Sequence, residues 1–192
     1  MNKFRILRVG ERGGAPKEDF MHPLRPALRI VLSVATLVGP FGLAPTARAI
    51  SNDYSINGTF AAVSDGQFAT TDYAFHDEPT VRSTWSIQST CTKDFTCTGQ
   101  VSSDAGWTAS LRSDQGRVWT VDRDIPGWQV CPDGTTSPGH QTFTFYPSDS
   151  NGVTKIGSPY LEGRDKTTGV SGACGTFKFL TIVMPFRLDR VG

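Results

Sequence analysis

The feature that most constrains this chain is a run near its C-terminus, Phe177-Lys178-Phe179-Leu180-Thr181-Ile182-Val183-Met184-Pro185-Phe186-Arg187-Leu188. Its even positions from Leu180 to Leu188 are all apolar, a period of two that an extended strand presents as one continuous face. Phe177, Phe179 and Val183 put further apolar groups on the opposite face, so the run is expected to be a strand covered on both sides. A lone strand leaves its backbone groups unpaired and that surface wet. The rest of the chain has to supply neighbours in a sheet.

Shorter runs supply them. From Val81 to Cys91 the chain alternates, with Val81, Ser83, Trp85, Ile87, Ser89 and Cys91 on one face and polar groups on the other, the pattern of a half-buried strand. Two similar turns, Ser103-Asp104-Ala105-Gly106 and Ser113-Asp114-Gln115-Gly116, bracket residues 107–112, where Trp107, Ala109 and Leu111 share a face. Asp and Ser open such turns and Gly supplies the positive φ that closes them. Trp119 and Val121 continue the pattern, Asp124-Ile125-Pro126-Gly127 reads as a loop, and residues 128–131 and 140–146 read as strands. Asp65-Gly66, between two β-prone runs, predicts a hairpin over 59–71. Residues 153–161 read as a weak strand and 163–175 as a long glycine-rich loop. No helical period occurs after Ala49. The expected fold is a single all-β domain over 50–192, an antiparallel meander closing into one barrel, with a β-sandwich as the alternative.

Residues 1–49 stand apart. Arg25 and Arg29 precede an apolar run over 30–44, and Ala47-Arg48-Ala49 follows it. A basic start, an apolar middle and a small-x-small site describe a secretory signal peptide cleaved after Ala49. The apolar run is interrupted by Gly39, Pro40 and Gly42, and a bilayer crossing needs about 18 apolar residues or more. Met21 would start a signal of ordinary length, which makes 1–20 an over-extended start. The leader carries eight Lys/Arg against three Asp/Glu, and residues 50–192 carry eleven against fifteen. A mildly acidic domain without a basic cluster does not suit nucleic acid. The expected location is secreted or extracytoplasmic, as a monomer, with no membrane span once the signal is removed.

All four cysteines, Cys91, Cys97, Cys131 and Cys174, follow the leader. An even count in an exported chain reads as two disulfides. Three pairings exist; the spacing favours Cys91–Cys97 across a tight turn and Cys131–Cys174 across a long loop. Cys-x5-Cys without nearby histidines does not offer a zinc site, and no metal or other cofactor is expected.

Several residues invite a chemical reading. Gly169-Val170-Ser171-Gly172-Ala173 approaches the G-x-S-x-G nucleophile elbow but ends in Ala and leads into no helix. A catalytic Ser171 would need His76 or His140 as its base. In His76-Asp77-Glu78 only His76 and Glu78 converge on one face, too few for a metal. Asp122 and Asp124 have the composition of a glycosidase carboxylate pair without a diagnostic spacing. Of the four tryptophans, Trp85, Trp107 and Trp119 fall on core positions. Trp128, beside Pro126-Gly127, and Tyr160 are the candidate ligand-contacting aromatics.

Val81-Arg-Ser-Thr-Trp-Ser-Ile87, Cys97-Thr-Gly99 through Ser103-Asp-Ala-Gly-Trp107, Trp128 to Cys131-Pro-Asp-Gly134, the glycine-rich 163–175 segment and Met184-Pro-Phe186 together resemble a group of uncharacterised exported β-rich proteins of mycobacteria and relatives. The resemblance spans most of 58–188. It implies export and paired cysteines, and it implies no reaction and no catalytic residue. The leading expectation is an exported cell-envelope or extracellular β-barrel, non-enzymatic, binding a small apolar or sugar-like ligand or a surface partner. The alternatives are a secreted hydrolase using Ser171 with a histidine, and a purely structural envelope protein.

Overall fold

The computed structural model describes residues 54–191, and the leader expected over 1–49 lies outside them. Ten strands follow one another: β1 (Gly58–Ser64), β2 (Thr70–Thr71), β3 (Ala74–Phe75), β4 (Val81–Cys91), β5 (Cys97–Ser103), β6 (Trp107–Ser113), β7 (Trp119–Val130), β8 (Thr136–Pro147), β9 (Tyr160–Gly169) and β10 (Thr181–Arg190). β4 through β10 pair in sequence, each antiparallel to the next, and β1 pairs with both β4 and β10. Those eight strands form a closed barrel rather than a sandwich, and closure leaves no unpaired edge around the ring. The short β2–β3 pair hangs on the first half of β10, where Ile182 faces Thr71.

The interior follows the alternation. Trp85 sits at its centre, with the rings of Phe143, Phe186 and Trp107 at 4.9, 5.1 and 5.2 Å. Phe60, Trp119, Phe145 and Leu188 are buried around them. An eight-stranded barrel is just wide enough for side chains to fill it, and these large rings do so. Both expected disulfides are present, Cys91–Cys97 across the β4–β5 turn and Cys131–Cys174 from the end of β7 to the segment after β9.

Five expectations are corrected. The C-terminal strand is covered on one face only: Phe186 and Leu188 are buried, whereas Phe177 is fully exposed and Phe179 is 55% exposed. Both phenylalanines precede β10, in a connection that packs against no second sheet. Asp65-Gly66 does not turn a hairpin. Asp65 caps a 3-10 turn over Gly66–Phe68 by accepting the Gln67 amide, because β4 and β10 already occupy both edges of β1. The Asp124–Gly127 loop is part of β7, absorbed as a register shift between Ile125 and Gln129. Most of the expected strand over 153–161 is irregular, with a single bridge from Thr154 to Ser148, and the expected loop over 163–175 begins as strand, since β9 occupies Tyr160–Gly169.

Candidate binding site at the barrel mouth

Along β8 and β9 the inward-facing pairs change character layer by layer. Phe145 faces Gly163, then Phe143 faces Asp165, Gln141 faces Thr167, and Gly139 faces Gly169. The first layer belongs to the filled core, and in the second and third the lining turns polar with Asp165, Gln141 and Thr167. There a polar chain is assembled from four strands. Ser64 donates its hydroxyl to Asp165 Oδ2 at 2.7 Å, and Gln141 Nε2 donates to Asp165 Oδ1 at 2.7 Å. Arg123 Nε in turn donates to Gln141 Oε1 at 2.6 Å. The Arg123 guanidinium lies 4.3 Å from the centre of the Trp107 ring, a cation–π contact.

Burial raises the Asp165 carboxyl above the usual carboxylate range, against the hydrogen bonds from Ser64 and Gln141 and the charge of Arg123. Burial also lowers the Arg123 guanidinium, and the nearby Asp165 opposes that shift. Replacing buried ionic groups by well-packed apolar ones is often neutral or stabilising. The quartet is therefore not what a barrel needs merely to stand.

Trp85, Trp107 and Phe143 wall a recess of about 170 Å³ above this chain, with Arg123, Gln141 and Asp165 among its polar lining. Cavities of roughly 150 Å³ accept a benzene-sized ring, so the recess has room for one ring. Trp128 lies over the next layer out. A Cβ on Gly139 would come within 2.7 Å of its ring and one on Gly169 within 3.2 Å, so both positions need glycine to seat it. Beside it Gln129 Oε1 is buried without a hydrogen-bond partner among the described residues, an acceptor open to a donor from outside.

The other singled-out residues lie elsewhere. Tyr160 is on the outer surface, in a groove of about 450 Å³ shared with Tyr146 and Arg164. Ser171 is exposed in the turn after β9. Neither histidine reaches it: His76 Nδ1 pairs with Glu78 at 3.0 Å and His140 Nδ1 with Asp124 at 2.8 Å. Asp122 shares the outer face with Asp124 and is held by Arg112 at 2.6 Å and by the Thr142 hydroxyl at 2.7 Å. Among the described residues no three His, Cys, Asp or Glu side chains gather as metal ligands. Ser64, Arg123, Gln141 and Asp165 were not singled out by sequence. Parity was their one signal, since Arg123 continues the inward phase of Trp119 and Val121, and Gln141 that of Phe143 and Phe145.

No family model and no curated protein matches the chain. Among solved structures, the monomer form of the Mycobacterium tuberculosis PknI sensor domain is similar at 15% identity and a TM-score of 0.49, over 71% of this chain and 88% of that one.

Proposed function

We propose that the chain is an extracytoplasmic, non-enzymatic binding domain whose barrel mouth receives one ring of an uncharged sugar-like ligand. The carrying observation is the polar quartet set beneath aromatic walls in a ring-sized recess. Sugar hydroxyls both donate and accept, and the mouth offers both, an acceptor in Asp165 and spare N–H groups on Arg123. The apolar side of a sugar ring suits the indole of Trp107. An apolar ligand is less well served, because the recess sets Arg123, Gln141 and Asp165 beside its aromatic walls. Two disulfides support an oxidising compartment. A purely structural envelope protein calls for neither a recess nor clustered polar groups, and the mouth has both.

The test is a titration of the protein with a panel of neutral mono- and disaccharides, followed through its indole N–H resonances. At least one sugar is expected to move the Trp85 and Trp107 signals. Trp107→Ala and Arg123→Met should each weaken that sugar tenfold or more, about 1.4 kcal/mol. A panel that moves neither indole, or binding that survives both substitutions, overturns the proposal.

A further inference from the structure

The outer face of the barrel carries a second concavity with a different chemistry. Val63 on β1 is in register with Arg82 on β4 and with Arg187 on β10. The two arginines are thus two strand spacings apart, about 10 Å between backbones. Arg164 on β9 faces Pro185, two residues along β10 from Arg187 and on the same side of the sheet. Tyr146 and Tyr160 close the far wall, and their hydroxyls donate to the two oxygens of Glu162 at 3.2 and 3.3 Å. The groove these groups enclose measures about 450 Å³, within the roughly 300–1,000 Å³ of ordinary ligand sites. A second trough of about 310 Å³, lined by Thr142, Thr144 and Lys166, shares Arg164 with it.

Three guanidinium groups line the groove against two carboxylates, Asp65 and Glu162. Neither carboxylate pairs with an arginine of the groove; both accept from neutral donors. Glu162 holds the two phenols, and Asp65 Oδ1 accepts the Gln67 amide at 3.1 Å and the Thr80 hydroxyl at 3.4 Å. Among the described residues Arg82, Arg164 and Lys166 enter no ion pair, and Arg187 meets Asp189 through Nε at 3.3 Å. Residues 50–192 as a whole are net acidic, so general attraction for anions does not explain the cluster. Arginines that line one concave surface, Arg82 and Arg164 among them outside any ion pair, are suited to forked, charge-assisted bonds with carboxylate or phosphate.

We infer that this outer trough binds a carboxylate- or phosphate-bearing sugar, its anionic groups on Arg82, Arg164 and Arg187 and its ring against Tyr160. The site is separate from the mouth and stands whether or not the mouth takes a neutral ring. Arg82 and Arg164 are exposed and outward-facing, so substituting them leaves the core untouched.

The experiment titrates the protein expressed from its full sequence with glucuronate, glucose 6-phosphate, glucose and inorganic phosphate, at low and at physiological ionic strength. At least one acidic sugar should bind tenfold or more tighter than glucose and weaken as salt rises. The better of the two identifies the anionic group. The double variant Arg82→Gln/Arg164→Gln should abolish the preference, and Trp107→Ala should preserve it. Equal affinity for charged and uncharged sugar overturns the inference, as does a double variant that binds like the parent. Loss of the preference in Trp107→Ala would place the anion at the mouth, and inorganic phosphate binding as well as the sugar would remove the ring contact; either result also overturns it.

Discussion

Asp165 has a carboxyl pushed above its ordinary value of 3.8, chiefly by burial, and this gives stability a definite pH dependence. In the folded protein the group holds its proton to a higher pH than in the unfolded chain. Between the two values the folded state binds more protons, so raising the pH through that window weakens folding. Below both values the penalty is absent, and above both it is complete and constant. Carboxylates pulled the other way, such as Asp72 beside Lys178, act in the opposite sense. They are common to the parent and to Asp165→Asn, so the difference between the two isolates Asp165. Urea unfolding from pH 3 to pH 8 should show the parent losing stability relative to the variant as pH rises above about 3.8, then a plateau. A relative gain would mean the fold prefers the carboxylate charged. Asp165 was not legible beforehand for a physical reason: nothing in a lone aspartate among Gly, Arg and Lys shows that its neighbours will be a Phe, a Gln and the inside of a barrel.

At the scale of elements, alternation was a reliable guide wherever one face met the apolar core. β4 spans the expected Val81–Cys91, and β6 differs by one residue from the expected 107–112. β9 was missed because its inward residues after Leu161 are Gly163, Asp165, Thr167 and Gly169, with no apolar side chain among them. Gly163 has no choice, since a Cβ there would lie 1.9 Å from the Thr144 carbonyl oxygen. The strand's inner face meets Phe rings that fill the space, then the polar mouth, then Trp128, so its alternation is written in size and polarity instead of hydrophobicity. The missed strand and the missed site therefore share one cause. The disulfides, legible from cysteine spacing, differ in leverage. Cys91 and Cys97 are 6 apart in sequence and Cys131 and Cys174 are 43 apart. Chain entropy assigns about 2–2.5 kcal/mol to the short loop and about 4 kcal/mol to the long one. Cys131→Ser/Cys174→Ser should accordingly lower the unfolding free energy more than Cys91→Ser/Cys97→Ser, as measured by denaturant titration. The reverse order would mean that the long bridge ties down a segment that contributes little to the cooperative fold.

At the scale of the whole molecule, the barrel is closed by its first and last strands. β1 pairs with β10 from Phe60 opposite Arg190 to Ser64 opposite Phe186, and the Val191 amide continues to the Thr59 carbonyl at 2.9 Å. The two ends of the described chain are thus neighbours across one ladder, and the order in which the strands are joined is not what holds the ring together. Before Gly58, Ile56 and Tyr54 pack against the core, and Ile56 receives the Ser89 hydroxyl on its backbone. A connection from Val191 must therefore reach Tyr54 without displacing them. A Gly/Ser linker of about ten residues spans up to about 35 Å, and lengthening such a loop costs little, roughly 0.6 kcal/mol per doubling. New termini fit at Asn151-Gly152, an exposed turn between β8 and β9. This circular permutant should fold with both disulfides formed and unfold in one cooperative transition. Because the mouth and the outer trough are each built from several strands, it should also keep any ligand binding of the parent. A permutant that is soluble but melts without cooperativity would show that the β8–β9 connection, rather than the closed ring, organises the fold.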